Sequence, residues 1–144
     1  MISVRKQEVV KLENVLHLYQ AVGWTNYTHQ PQMLEKSLSH SLAIYLALDG
    51  EAIVGLVRLV GDGFSSVFVQ DLIVLPSYQR QGIGSALMKE ALRDFKDAYR
   101  VQLATDQTEK NLEFYRSLGF EILSTYDCTG MIWVERKNKI ITFS

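Results

Sequence analysis

In the stretch LPSYQRQGIGSAL, residues 75–87, two glycines, two glutamines and an arginine separate an apolar run from a helical pattern. Main-chain N–H groups at a glycine-rich turn that opens a helix form an anion site. Gly82 and Gly84 carry no Cβ, so a bulky ligand can approach the backbone there. The N–H groups of about residues 80–85 include donors that the first helical turn leaves unpaired, at the positive end of the helix dipole. A diphosphate fits that cradle, and Arg80 adds a charge-assisted contact. The same residues can equally make a plain strand-to-helix turn. Two nucleotide motifs are excluded: no Gly-Lys-Ser/Thr is present, and Leu87 stands where a dinucleotide fingerprint needs its third glycine.

A second candidate for chemistry is Asp71, in the apolar run SSVFVQDLIVL. Strict alternation puts it on a face with Val67, Val69 and Ile73, with Gln70 pointing the other way. A carboxylate on an apolar face needs a partner or a task. Asp71 is therefore either a general base or a group held by backbone or arginine contacts that orders the strand. Gln70 can hydrogen-bond a substrate. The loop VGWTNYTHQ gathers Trp24, Tyr27 and His29, either as a cover for an apolar or aromatic substrate or as packing on the core. The single cysteine, Cys128, has no His/Asp set around it and is a bystander.

The elements that must position these groups follow from the pattern. The chain has 144 residues, 47% of them hydrophobic, which suits one packed domain spanning 1–144. A net charge of −1 argues against nucleic-acid binding as the main business. One cysteine and three unclustered histidines exclude an intrachain disulfide and leave no metal site, and a reducing cytoplasm is the simplest compartment. The charged N-terminus and the lack of a long apolar run indicate no signal peptide and no membrane span. Residues 2–5 read as an edge strand, a helix starts at Leu12, and a second helix follows Pro31. Residues 42–48 and 52–61 form a hairpin around Asp49-Gly50, and 65–75 is a third long strand. A helix over roughly 82–97, a strand at 100–105 and a glycine-capped helix at 108–119 follow. FEILSTY and GMIWVERK complete a final strand pair. The fold class is α/β, a mixed sheet with helices on both faces.

Two of these stretches together resemble the GNAT superfamily of N-acetyltransferases. The family signature Q/R-x-x-G-x-G/A is met by Gln79, Gly82 and Gly84, DLIVLPSY resembles the family's fourth strand, and FYRSLGF is similar to its F-Y-x-x-x-G-F helix end. The element order agrees over nearly the whole chain. The resemblance implies a mostly antiparallel mixed sheet of about six or seven strands, splayed between the fourth and fifth. It implies acetyl-CoA as co-substrate and no metal. The diphosphate would lie on the N–H groups around Gln81, Gly82, Ile83, Gly84 and Ser85. The pantetheine arm would pair with main-chain groups at Leu72, Ile73 and Val74, like an added strand.

By the same resemblance Tyr115 is the general acid that protonates the departing thiolate, although alone it reads as an amphipathic core residue. The N–H of Ile73 would polarise the thioester carbonyl, and in the family a base acting through water is as common as a direct carboxylate such as Asp71. Where many members carry an asparagine against the cofactor arm, this chain has Thr108, with Asn111 one turn later; either could make that contact. The implied activity is acetyl transfer to a primary amine by direct attack in a ternary complex. The acceptor is a small molecule, in a soft resemblance to the arylalkylamine branch, with Trp24, Tyr27 and Gln70 as substrate-side residues. The alternatives are a non-catalytic acyl-CoA sensor and a protein or peptide amine acetyltransferase. A homodimer seam would fit the exposed edges near the C-terminus.

Overall fold

The computed structural model describes residues 1–135. The chain divides into two compact units, Met1–Ala104 and a second that begins at Thr105. The first holds a five-stranded sheet in the order β1 (Ile2–Lys6), β2 (Ala43–Asp49), β3 (Ala52–Gly61), β4 (Ser66–Val74), β5 (Arg100–Leu103). The first four strands are antiparallel; β2, β3 and β4 follow one another through short turns such as Asp49-Gly50, while a helical stretch, residues 12–39, separates β1 from β2 in the chain. β5 is parallel to β4, and the crossover this requires carries α4 (Ile83–Asp94).

Helices cover both faces. α1 (Leu12–Ala21) and α3 (Pro31–Ser39), joined through the single turn α2 (Thr25–Thr28), place Val15, Leu18, Leu34 and Leu38 on one face. There they meet Ile44, Leu46, Leu48, Leu56 and Ile73 of the sheet in one apolar cluster. On the other face lies α4, whose apolar side buries Ile83, Leu87, Met88 and Ala91. Both faces of β2 are thus covered, so Ala43 to Leu48 are all buried.

A bulge in β4 overturns the strict alternation expected there. Arg58 stands opposite Asp71 but its neighbour Leu59 stands opposite Val69, leaving Gln70 without an opposite residue. Adjacent β3 residues face opposite sides, so the extra residue switches the faces of β4. Val67 and Val69 lie on the α4 side. Asp71 and Ile73 lie on the α1/α3 side, which is why Ile73 but not Val69 belongs to the cluster above.

In the second unit, α5 (Glu109–Ser117) starts at Thr108, whose side chain accepts a bond from the Asn111 N–H, and ends before Gly119 at φ +99°. The expected final strand pair is not found among the described residues. FEILSTY instead holds a 3-10 turn at Leu123–Tyr126, and the described part of GMIWVERK carries no strand; Arg136 and Lys137 fall outside the described residues. The β-rich composition loses here because the backbone bonds locally: Thr125 N–H to Ile122 at 3.0 Å, Asp127 N–H to Ser124 at 3.1 Å and Cys128 N–H to Leu123 at 3.2 Å. The described sheet therefore has five strands rather than six or seven.

Gly55 lets α4 approach the sheet. A Cβ built there would stand 3.0 Å from the Ile73 carbonyl oxygen and 3.2 Å from Leu87 Cδ1. Gly55→Val is expected to lower stability by about 1–3 kcal/mol through overpacking, read as a lower urea midpoint. An unchanged midpoint would show that this contact is not tight.

Candidate active site

The open half of β4 is the first component of the site. Pairing with β5 ends at Val69 opposite Leu103, while β4 runs on to Val74, still paired with β3. The strands therefore part after Val69, as the splay expected between strands four and five requires. The phase of the backbone follows from one bond: Leu75 N–H donates to the Val54 carbonyl at 2.9 Å. Antiparallel pairs alternate between bonded and non-bonded, so Ile73, two residues earlier, turns its N–H and C=O toward β3. Leu72 and Val74 turn theirs to the open side. The expectation that the Ile73 N–H faces a ligand is corrected by this phase; the Leu72 N–H and C=O and the Val74 N–H face the open side, and the Val74 carbonyl there is taken by Gln79.

At its upper end β4 leads through a 3-10 turn at Pro76–Tyr78 into the glycine corner. Tyr78 Oη donates to Asp49 at 2.6 Å, and Gln79 Nε2 donates back to the Val74 carbonyl at 3.1 Å. Two residues then take the left-handed conformation, Arg80 at φ +64° and Gly82 at φ +78°. Gly82 is the N-cap of α4, and a Cβ there would meet nothing within 4 Å, so backbone conformation and open approach are what it supplies. The first helical bond runs from the Ala86 N–H to the Gly82 carbonyl at 3.0 Å. The N–H groups of Ile83, Gly84 and Ser85 precede it and have no carbonyl within the helix. Arg80 and Gln81 are exposed beside them. This donor set fits a diphosphate, as the signature implied.

On the α1/α3 side of β4 a polar cluster closes over Asp71. Its Oδ2 accepts from Arg58 Nε at 2.7 Å and from Tyr19 Oη at 2.8 Å, and its Oδ1 accepts from Tyr27 Oη at 2.8 Å. Arg58 also donates to Tyr27 Oη at 3.2 Å and Ser41 Oγ at 3.3 Å, and Gln70 Nε2 reaches Tyr27 Oη at 3.4 Å. The ion pair is sealed, with 4% of Arg58 and 2% of Asp71 exposed. Of the alternatives open for Asp71, the structure has the one in which an arginine holds it. Burial alone would lower the pKa of Arg58, but Asp71 beside it raises it above its ordinary value. Burial, reinforced by Asp71, pushes the Tyr19 and Tyr27 phenols above 10.0.

The cluster brings together Tyr27, Gln70 and Asp71. Gln70 lies on the same side as Asp71, not opposite, because of the bulge. Trp24 is half-buried against the core, with Tyr19 at 6.0 Å and Tyr27 at 6.2 Å between ring centres. Its visible role is packing. Arg58 and Tyr19 were missed by the sequence reading. Arg58 had a signal, as the only charge in the run AIVGLVRLVG.

The second unit holds Thr108, Asn111 and Tyr115 on or beside α5. Thr108 caps the helix, and Asn111 Nδ2 donates to Thr105 Oγ1 at 3.1 Å, so both side chains already serve local structure. Tyr115 packs edge-on against Phe114 at 5.0 Å and Phe120 at 6.0 Å. Gly119 turns the chain back so that the Phe120 N–H reaches the Tyr115 carbonyl at 3.0 Å. Burial pushes the Tyr115 phenol up to about 12, so it keeps its proton at neutral pH. Cys128 is exposed. Among the described residues no cluster of three or more His, Cys, Asp or Glu is placed to hold a metal, and no helix is long and apolar enough to cross a membrane.

Residues 40–122 match the acetyltransferase (GNAT) domain family. The chain belongs to the GNAT family of acetyltransferases. It is similar to a GNAT-family acetyltransferase protein of known structure from Streptococcus pneumoniae TIGR4, with 78% identity, a TM-score of 0.88, and coverage of 95% of this chain and 100% of that one. It is 27% identical over 136 residues to GCN5-related N-acetyltransferase 1, chloroplastic, of Arabidopsis thaliana, covering 92% of this chain and 67% of the relative. It is 30% identical over 95 residues to serotonin N-acetyltransferase 2, chloroplastic, of Oryza sativa subsp. japonica, covering 63% of this chain and 48% of the relative. This GNAT chain thus spans only about half the length of some curated relatives it matches. The family's acetyl donor is acetyl-CoA.

Asp71→Leu leaves Arg58 buried without its counter-charge and is expected to cost about 3–5 kcal/mol in urea unfolding. The double variant Arg58→Met/Asp71→Leu is expected to cost clearly less than the sum of the two single variants; additive costs would mean the pair is not coupled. Because the phenols of Tyr19 and Tyr27 are raised above 10.0, their contribution is complete below pH 10 and lost as pH rises through the folded-state values. The unfolding temperature should therefore fall above pH 10 in wild type and fall less in Tyr19→Phe.

Proposed function

We propose that this chain transfers the acetyl group of acetyl-CoA to a small primary amine by direct attack in a ternary complex. The observation that carries this reading is the continuity of the free half of β4 with the donor-rich first turn of α4. An extended amide-bearing arm can pair with the main chain of Leu72 and with the Val74 N–H while its diphosphate rests on the N–H groups of Ile83, Gly84 and Ser85. Gln79 serves indirectly, by holding the corner to Val74. Acetyl-CoA, when bound, supplies the activated thioester. The chain's part is to orient it, to polarise its carbonyl through a free β4 N–H, and to return a proton to the thiolate, while the proton that the amine nitrogen gives up leaves through water.

In this reading Tyr115 is the proton donor. The Tyr115 phenol, pushed up to about 12 by burial, is protonated at neutral pH, as a proton donor must be. Asp71 acts as a positioning residue, since it is buried in an ion pair with Arg58 and accepts from Tyr19 and Tyr27. An arylalkylamine is the acceptor favoured, on the aromatic lining from Tyr27 and on the similarity to a relative named for serotonin acetylation.

Thermal unfolding with acetyl-CoA tests the cofactor arm of the proposal. At about 100 times Kd the ligand should stabilise wild type by roughly 2.7 kcal/mol. Ser85→Asp favours the helix dipole yet repels a diphosphate, so the protein should fold normally and lose most of the ligand shift. No shift in wild type would overturn the proposal.

Thiol release with a panel of amines tests the transfer. Tyr115→Phe should lower kcat by about 100-fold, within the range for a general acid, with acetyl-CoA affinity unchanged. Equal kcat in the two proteins would remove Tyr115 from the mechanism.

A further inference from the structure

The polar cluster dictates which end of the Gln70 amide faces outward. Tyr27 Oη has one proton, and it goes to Asp71 Oδ1 at 2.8 Å. Any further partner of that oxygen must therefore be a donor. Arg58 donates to it at 3.2 Å, and Gln70 meets it at 3.4 Å with Nε2. The Gln70 nitrogen is turned inward by this chain of bonds, so its Oε1 is turned away from Tyr27. Gln70 is exposed, is the extra residue of the bulge, and is the first β4 residue past the last β5 pair, Val69 with Leu103. An acceptor-only oxygen thus stands at the vertex where the two strands part.

We propose that Gln70 orients the attacking amine: its carboxamide oxygen, held outward by the Asp71–Tyr27–Gln70 chain, accepts one N–H of the acceptor amine. This rests on the acetyltransferase reading above and deepens it. An amine held by one N–H has its nitrogen fixed in place, and once neutral it keeps its lone pair free for the carbonyl. The chemistry selects an acceptor with an N–H to donate. A group that offers only acceptors meets a repulsive oxygen. The buried ion pair gains a purpose, because an ionised carboxylate anchored by Arg58 forces the direction of every bond out to Gln70.

The test is steady-state kinetics on Gln70→Leu, Gln70→Glu and Tyr27→Phe, with acetyl-CoA binding measured on the same proteins by calorimetry. The probe amine is the best wild-type substrate among 2-phenylethylamine, spermidine and a lysine-containing peptide. Gln70→Leu should lower kcat/KM for the amine at least 10-fold and leave the acetyl-CoA Kd within twofold. Gln70→Glu keeps an acceptor at the vertex but no longer donates to Tyr27 Oη, so it should retain more activity than Gln70→Leu and less than wild type. Tyr27→Phe frees the amide to rotate and should likewise fall between wild type and Gln70→Leu. An unchanged amine kcat/KM in Gln70→Leu, or a loss in Gln70→Glu equal to that in Gln70→Leu, overturns the inference while leaving the acetyltransferase reading intact. If wild type binds acetyl-CoA but turns over none of the three amines, the inference falls and cofactor binding stands. If it does not bind acetyl-CoA, both fall.

Discussion

The buried pair of Arg58 and Asp71 is the constraint on which the first unit is arranged. Two charges removed from water need excellent geometry and further bonds to offset the loss of solvation. Tyr19, Tyr27 and Ser41 supply those bonds, and each comes from a different segment before β2. Satisfying the pair thereby fixes how α1 and α2 lie against β3 and β4. It also puts Tyr19 and Tyr27 in edge contact at 5.1 Å and draws Trp24 onto the same cluster. A purely apolar face would pack as firmly but would not impose a direction on the bonds that radiate from it.

That direction reaches the surface through the bulge. Without the extra residue, Asp71 would point to the α4 side with Val67 and Val69, and no tyrosine of α1 or α2 could meet it. With it, a carboxylate is buried under α1 and the adjacent glutamine is carried to the point where β4 and β5 separate. Bulges often re-aim side chains beside functional sites. The cost is one broken step in the ladder, and the gain is a polar group delivered to an edge where the main chain is already free.

The corner that follows β4 uses a different economy. Its anion-binding capacity comes from main-chain donors, so side-chain identity matters mainly where conformation demands it. Gly82 at φ +78° is such a place, and the Gln79 bond to Val74 ties the loop to the strand that precedes it. In the second unit the same logic applies at Gly119, where a left-handed residue ends α5 and turns Phe120 back on Tyr115.

Much of this was legible in the amino-acid order. The glycine corner, the helix behind it and the FYRSLGF ending are local patterns, read from residues close in sequence, and they sufficed to indicate the family. Element positions followed for the same reason: capping, turn and periodicity signals are short-range. What the sequence alone could not decide was anything set by partners distant in the chain. Strict alternation misplaced Asp71 and Gln70 because a bulge is defined by the opposite strand, and β4 is paired with β3 across a turn. The last expected strands are not found among the described residues, because the backbone there bonds locally instead. Arg58 stood out as a lone charge in an apolar run, yet only the register of β3 against β4 identified Asp71 as the carboxylate that it neutralises.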